Sequence, residues 1–334
     1  MKKILVCLGG ILLLTGMNPG WTFGQRKVTI KVASIAPENT PWGEALNRLA
    51  KAWSEVSGGE VELRVYHNGV AGNEGDVLQK LKINQIQGAV LTSFGINLIS
   101  PEVMTLSAPF LIRTSEELKR VLEALKPELE LKISAKGFHT LTWANAGWVT
   151  FFSKSPVFIP SDLKRLKIGT RPEAPELAYA FRSLGYQMVT VSDNDILIAL
   201  NSNKIQAFYQ SPLFAGAMQL FGSAQHMTSL PVAPFMAGIF LNEPGWRAIP
   251  ERYKPEFMRR AEAISGEINA SVIRLEADAV KTMTQYGLKV HQIAPNQAQL
   301  WYSEVDGAID SLLGAAFDRA VYQRVQALLA DFRR

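Results

Sequence analysis

Apolar and polar residues alternate from the first segment after the leader. Val28, Ile30 and Val32 share one face of a strand expected over Lys27 to Ile35. The period then changes. Thr40 is placed to cap a helix, and Pro41 sits in its first turn, where a missing N–H costs nothing. Trp42, Leu46, Leu49 and Trp53 recur at helical spacing, and Gly58-Gly59 stops the run. Val61, Leu63 and Val65 alternate with Glu60, Glu62 and Arg64, which predicts a strand with one buried face. A short helix is expected from about Asp76 to Lys82, then a buried strand at Ala89-Val90-Leu91. Strands separated by single helices predict a parallel sheet with right-handed crossovers.

The same order returns later. Thr114 and Glu117 read as a capping box for an intervening helix, and Thr140 to Phe152 reads as an extended segment leaving the first unit. Pro160-Ser161-Asp162 reads as a turn, Leu166 to Thr170 as a strand, and Leu177, Phe181 and Leu184 as a helix ended by Gly185. Val189-Thr190-Val191 is the next strand. Ser192 with Asp195 reads as a second capping box, and Ile205 to Tyr209 as the following strand. Residue identities differ between the two units, so the repeat is architectural. From Pro255 to about Tyr286, apolar residues recur every three or four positions with no strong stop except Gly266. One helix of roughly 30 residues, near 45 Å long, is expected there and is long enough to bridge two units. A strand from Leu288 to Ile293 and helical sequence from Pro295 follow.

Composition narrows the function. Met1-Lys2-Lys3, the apolar run Ile4 to Leu14 and the small residues after it have the layout of a signal peptide, with a cut expected before Gln25. The run is too short for a spanning helix, which needs roughly 20 apolar residues. Cys7, the single cysteine, lies inside that leader, so the mature chain is expected to have no thiol and no disulfide. Removing residues 1–24 takes away Lys2 and Lys3 and no acid, so the formal charge falls from +5 to +3. The basic residues are scattered, which argues against nucleic-acid binding. His67, His139, His226 and His291 lie far apart in sequence, and no metal site is expected. No phosphate loop, dinucleotide fingerprint or nucleophile elbow occurs. Asp193 and Asp195 are read as flanking a helix start, which capping explains better than acid–base work. An exported chain with two α/β units and no catalytic constellation reads as a two-lobed binding protein with a central cleft.

Several stretches, in order, resemble the extracytoplasmic solute-binding proteins of TRAP transporters, the DctP family. They are Gly58 to Tyr66, Ala71-Gly72-Asn73-Glu74 through Gln87-Gly88, Pro101 to Leu111, Ser161 to Ile168, and Ile198 to Asn203. The resemblance implies a periplasmic-binding-protein-like fold: two α/β lobes, a central cleft and a long bridging helix. The lobes are expected at 25–151 with 237–277, and 152–236 with 278–334. It also implies a periplasmic subunit that needs no cofactor, catalyses nothing, and passes a small organic ligand to a membrane permease driven by an ion gradient. Some similar proteins work with a helical-repeat (tetratricopeptide) partner. A binding protein of an ATP-driven importer and an exported enzyme on the same fold are the alternatives. Neighbouring permease genes would separate the first, and a titratable pair in the cleft the second.

The departures from the family concern ligand chemistry. Where the family places a carboxylate-binding arginine, this chain has Gly169, with Arg171 two residues later. Arginine suits that task because its planar fork donates two parallel hydrogen bonds. A second basic position falls at Lys154, and the family's acid and asparagine become Gln210-Ser211. Phe208, Tyr209, Phe214, Phe235 and Met236 lie in the same neighbourhood. Two ligand classes follow: a carboxylate held by Arg171 and Lys154, or an apolar or amphipathic acid. Further candidate contacts are Trp148 and Asn145 in the crossover strand, and Ser34 and Glu38 at the end of the first strand, since ligands bind beyond the carboxyl ends of strands in such sheets. Each has an ordinary reading as core or surface.

Overall fold

The structure is a computed structural model that describes residues 27–333; the expected leader and its cleavage site lie outside the described residues. In the first half, β1 (Val28–Ala33) pairs in parallel with β2 (Val61–Tyr66) and β3 (Gly88–Thr92), and α1 (Pro41–Val56) and α2 (Glu74–Lys82) make the crossovers. Thr40 caps α1 by accepting from Gly43 N–H, and Asn73 with Asp76 boxes the start of α2. A short α3 (Ser93–Asn97), a 3-10 stretch (Pro101–Ser107) and α4 (Ser115–Ser134) lead to the long β4 (Phe138–Ser153).

The second half contains α5 (Pro160–Lys164), β5 (Lys167–Thr170), α6 (Pro175–Ser183), β6 (Gln187–Thr190), α7 (Ile196–Asn201), β7 (Ala207–Gln210) and α8 (Pro212–Ala217). The chain then returns through β8 (His226–Thr228), β9 (Ala233–Asn242), α9 (Glu243–Ala248) and α10 (Lys254–Gln285), and ends in β10 (Lys289–His291), α11 (Pro295–Leu312) and α12 (Arg319–Phe332). The main strand order is β2-β1-β3-β9-β4-β7-β5-β6, with β8 joining β4 to β10.

Neither half is purely parallel. β9 runs antiparallel between β3 and β4 in the first half, and β7 pairs with β4 antiparallel in the second. All ten residues of β9 are buried, so its sequence lacks the alternation that marks a half-exposed strand. β4 belongs to both halves: Phe138 to Val149 pair with β9, and Thr150 to Ser153 pair with β7. Its register slips between Thr140 and Thr142 and again between Asn145 and Trp148, as β-bulges do where a strand must turn.

The 32-residue α10, about 48 Å long, lies along this strand. Ser265 Oγ meets Thr142 Oγ1 at 2.8 Å, Asn269 Oδ1 accepts Asn145 N–H at 2.7 Å, and Glu276 Oε1 accepts Trp148 N–H at 2.8 Å. Apolar packing continues the grip, with Trp53 of α1 stacked on Phe257 of α10 at 4.1 Å between ring centroids.

Local details depart from expectation. Pro160-Ser161-Asp162 opens a short helix in place of a plain turn. Thr114 does cap α4, but the Glu117 carboxylate accepts from Arg113 N–H and pairs with Arg333 near the C-terminus. Ser192 donates to Asp195 and caps nothing. Among the described residues no helix is long and apolar enough to cross a membrane.

Candidate functional site

The segments that follow β2, β3, β5 and β6 meet between the halves. Gly75 N–H reaches Glu173 Oε1 at 3.4 Å, Asn97 Nδ2 donates to the Glu173 carbonyl at 3.3 Å, and Gly69 lies against Asn194. At the centre is Arg171, 5 % exposed. β5 ends at Thr170, so Arg171 is free of the strand's alternation and turns toward β6. Its Nε donates to the Asp193 carboxylate at 3.0 Å. Its guanidinium carbon stands 4.4 Å from the Phe94 ring centroid and 5.4 Å from that of Phe235. Buried Nη2 has no hydrogen-bond partner among the described residues. Gly169, the position of the family arginine, has its Cβ direction facing Ile205 at 3.0 Å, so a larger side chain there would press on that residue.

Three carboxyl groups surround the one guanidinium. Burial is the largest influence on Arg171 and opposes its charge, but Asp193, Tyr209 and Glu74 together hold the pKa above its usual value. Glu74 is buried, and its carboxylate accepts from both the N–H and the hydroxyl of Thr92. Burial still pushes its pKa up to about 7, with Asp193 adding to the rise and Arg171 opposing it. Burial also raises the pKa of Glu173 and of Tyr209. Glu74 therefore exchanges its proton near neutral pH, where an ordinary glutamate is fully ionised.

Two cavities lie near this cluster; Arg171 and the three carboxyl groups line neither, and the link is through Phe94, Tyr209 and Phe235 on one side and Thr92 and Phe235 on the other. The first, of about 90 Å³, is walled almost entirely by apolar side chains, including Phe94, Phe110, Phe151, Phe181, Tyr209 and Trp301. Trp301 of α11 stacks on Phe151 at 5.5 Å and donates from Nε1 to the Phe158 carbonyl, which fixes that wall. The second, of about 240 Å³, lies between the start of α1 and α8, with Ser34, Trp42, Thr92, Ser211, Phe214 and Phe235 in its wall. The Trp42 Nε1 donor is buried and has no partner among the described residues.

The residues singled out from sequence are spread across this arrangement. Ser34, Ser211 and Phe235 line the second cavity, and Phe235 lines the first as well. Gln210 is fully buried beside them with Nε2 unpartnered among the described residues. Asn145 is 7 % exposed and Trp148 half-buried; both lie in the β4 bulge that α10 grips, and the Asn145 side chain accepts from Gly147 N–H. Met236 is fully buried. Glu38 is exposed, with its carboxylate accepting from Asn47. Lys154 donates to Asn203 at the far end of β4, and neither cavity touches it.

Sequence reading passed over Phe94, Glu74 and Trp301. Asp193 serves as partner to Arg171 rather than as a cap. Only the pairing of distant loops reveals these roles. Likewise His226 and His291, separated in sequence, come together with Nδ1···Nε2 at 2.7 Å because β8 and β10 pair. No group of three or more metal-ligating side chains occurs among the described residues.

The family model described as bacterial extracellular solute-binding protein, family 7 (DctP), matches residues 32–313. A solute-binding protein of Verminephrobacter eiseniae is 24 % identical over 267 residues, 79 % of each chain. A C4-dicarboxylate-binding periplasmic protein of Vibrio cholerae is 20 % identical over 303 residues, covering 90 % of this chain and 91 % of its own. In fold, the chain is similar to a TRAP periplasmic solute-binding protein from Sulfurospirillum deleyianum solved with bound succinate. The TM-score is 0.84 at 21 % identity, covering 90 % of this chain and 99 % of the other.

Proposed function

The chain belongs to the DctP family of bacterial extracellular solute-binding proteins, and from that membership we propose that it captures an organic acid with an apolar body between its lobes and delivers it unaltered to a TRAP membrane permease. Proteins of this family serve transport rather than catalysis, and the TRAP solute-binding proteins are periplasmic. The lobes in this reading are 25–151 with 237–277, and 152–236 with 278–334. The permease is the partner the reading requires; a helical-repeat carrier is not needed by it.

One observation carries the ligand class. A buried guanidinium with an unpartnered Nη2 lies on two rings, and both rings are walls of the apolar cavity. A carboxylate would satisfy the free donor with a charge-assisted hydrogen bond, and an apolar body would fill the cavity at about 25 cal/mol per Å² removed from water. Sugar acids, rich in hydroxyls, would leave those groups unpaired against Phe151, Phe181 and Trp301, at a cost of about 1–3 kcal/mol for each buried group. Asp193 already pairs with Arg171, which favours a ligand with one carboxylate over one with two.

Thermal unfolding against a panel of acids tests this. Ligand raises stability by RT ln(1 + [L]/Kd), about 2.7 kcal/mol at a hundredfold excess over Kd. Monocarboxylates with apolar bodies are expected to shift unfolding more than succinate or glucuronate. Arg171→Ala should cost about 2–5 kcal/mol of binding, and Arg171→Lys should recover part of it because the charge remains and the fork is lost. A panel in which only polar diacids or sugar acids bind would overturn the ligand class.

A further inference from the structure

The two cavities are walled by successive residues of the same elements. Thr92 faces the second cavity and Phe94 the first; Ser211 faces the second and Tyr209 the first; on β4, Ala146 faces the second and Val149 the first. β9 runs beneath both. Ala233 and Phe235 line the first cavity, and Phe235 and Ala237 line the second. These three alternate positions share one face of the strand. That face reads small, large, small, and among the described residues its one large side chain is the only one common to both walls. The Phe235 ring is 4 % exposed and is held on its neighbours, with its centroid 6.5 Å from that of Phe94 and the Arg171 guanidinium over it.

We propose that the two cavities are chambers of one cleft, and that Phe235 is the partition between them and the residue that sets how long a ligand the protein accepts. The inference rests on the ligand class proposed above. Arg171 lies over Phe94 and Phe235; both rings wall the first chamber and only Phe235 the second, so the chain of a carboxylate held there is led into the apolar chamber. The Phe94 ring stands next to the partition on the first chamber's side. Without the Phe235 ring, the floor between Ala233 and Ala237 becomes level, and a chain that overfills the first chamber can pass into the second. The second chamber is also mostly apolar, with Ile35, Val90, Leu213 and Phe214 in its wall. It can therefore accept methylenes against these side chains, with Trp42 Nε1 the buried donor they would leave unpartnered.

The test is a graded series of straight-chain monocarboxylates titrated into the wild-type protein and into Phe235→Ala, with Phe235→Leu as a milder variant that keeps the strand face apolar. In the wild type, affinity should rise about fourfold for each added methylene and then break at the length that fills the first chamber. In Phe235→Ala the break should move to longer chains, so that the first homologue past the wild-type break binds about fourfold or more tighter to the variant. Phe235→Leu should fall between. A break at the same length in all three proteins, each shown folded by a cooperative thermal transition, would overturn the partition. If no member of the series binds the wild type, the ligand class fails instead. The partition is then judged by crystals of wild type and Phe235→Ala under xenon pressure. Separate xenon sites in the first and one continuous chamber in the second would sustain it, and an unchanged wall would overturn it.

Discussion

At the scale of single residues, burial of carboxyl groups dominates the chemistry. Glu276 is pushed up to about 7 by burial, with only the Trp148 N–H bond pulling it down. An acid whose pKa is higher in the folded chain than in the unfolded one binds more protons when folded. The stability tied to it is fully present below the unfolded value, near 4.5, and is lost as pH rises through about 7. Glutamine keeps an oxygen to accept Trp148 N–H and cannot ionise. Denaturant unfolding of Glu276→Gln between pH 4.5 and 8 should therefore show a flatter decline than the wild type, with the largest gain on the alkaline side. Parallel curves would mean that Glu276 is solvated in the folded chain. Glu74 acts in the same direction through its own burial. The His226 and His291 pair, held low chiefly by burial, acts oppositely and loses stability as pH falls below the ordinary histidine value. Arg171 could be singled out from sequence because an arginine stands near the family position. Its partner could not, because Asp193 sits at a helix start, where a capping role satisfies local reasoning completely.

At the scale of elements, the bulge in β4 and the polar stripe of α10 form one joint. Gly147 has φ of 109°, a conformation open to glycine and strained for other residues, and a Cβ there would strike the Glu276 carboxylate. Gly147→Ala should therefore destabilise the protein by about 1–3 kcal/mol through the backbone alone, and by more once Glu276 is displaced; chemical denaturation measures it. No loss would mean that the bulge adapts freely. The elements that could be read in advance carry their own local signals: Thr40-Pro41 before the stripe of α1, the alternation of β2, the uninterrupted period of α10. Those that could not be read lack them. β9 is buried on both faces and so has no alternation, and β8 and β10 are three residues each, held by pairing with one another. Ser192-Asp193-Asn194-Asp195 shows the opposite failure: Ser192 spends its hydroxyl on Asp195 at a 3-10 turn, and Asp193 pairs with Arg171.

At the scale of the whole molecule, two half-sheets share β4, and α10 spans their junction. The loops at the strands' carboxyl ends touch across the gap, with the Arg171 cluster between them. On the proposed reading these are jaws over a site where the unpartnered Arg171 Nη2 awaits an anion beside a mostly apolar lining. Mass spectrometry of the small molecules released from protein purified without denaturation tests that reading most directly. The expected result is close to one equivalent of a monocarboxylate with an apolar body, chemically intact and lost from Arg171→Ala. Recovery of a sugar acid or dicarboxylate, or retention of the same ligand by Arg171→Ala at equal occupancy, would contradict it.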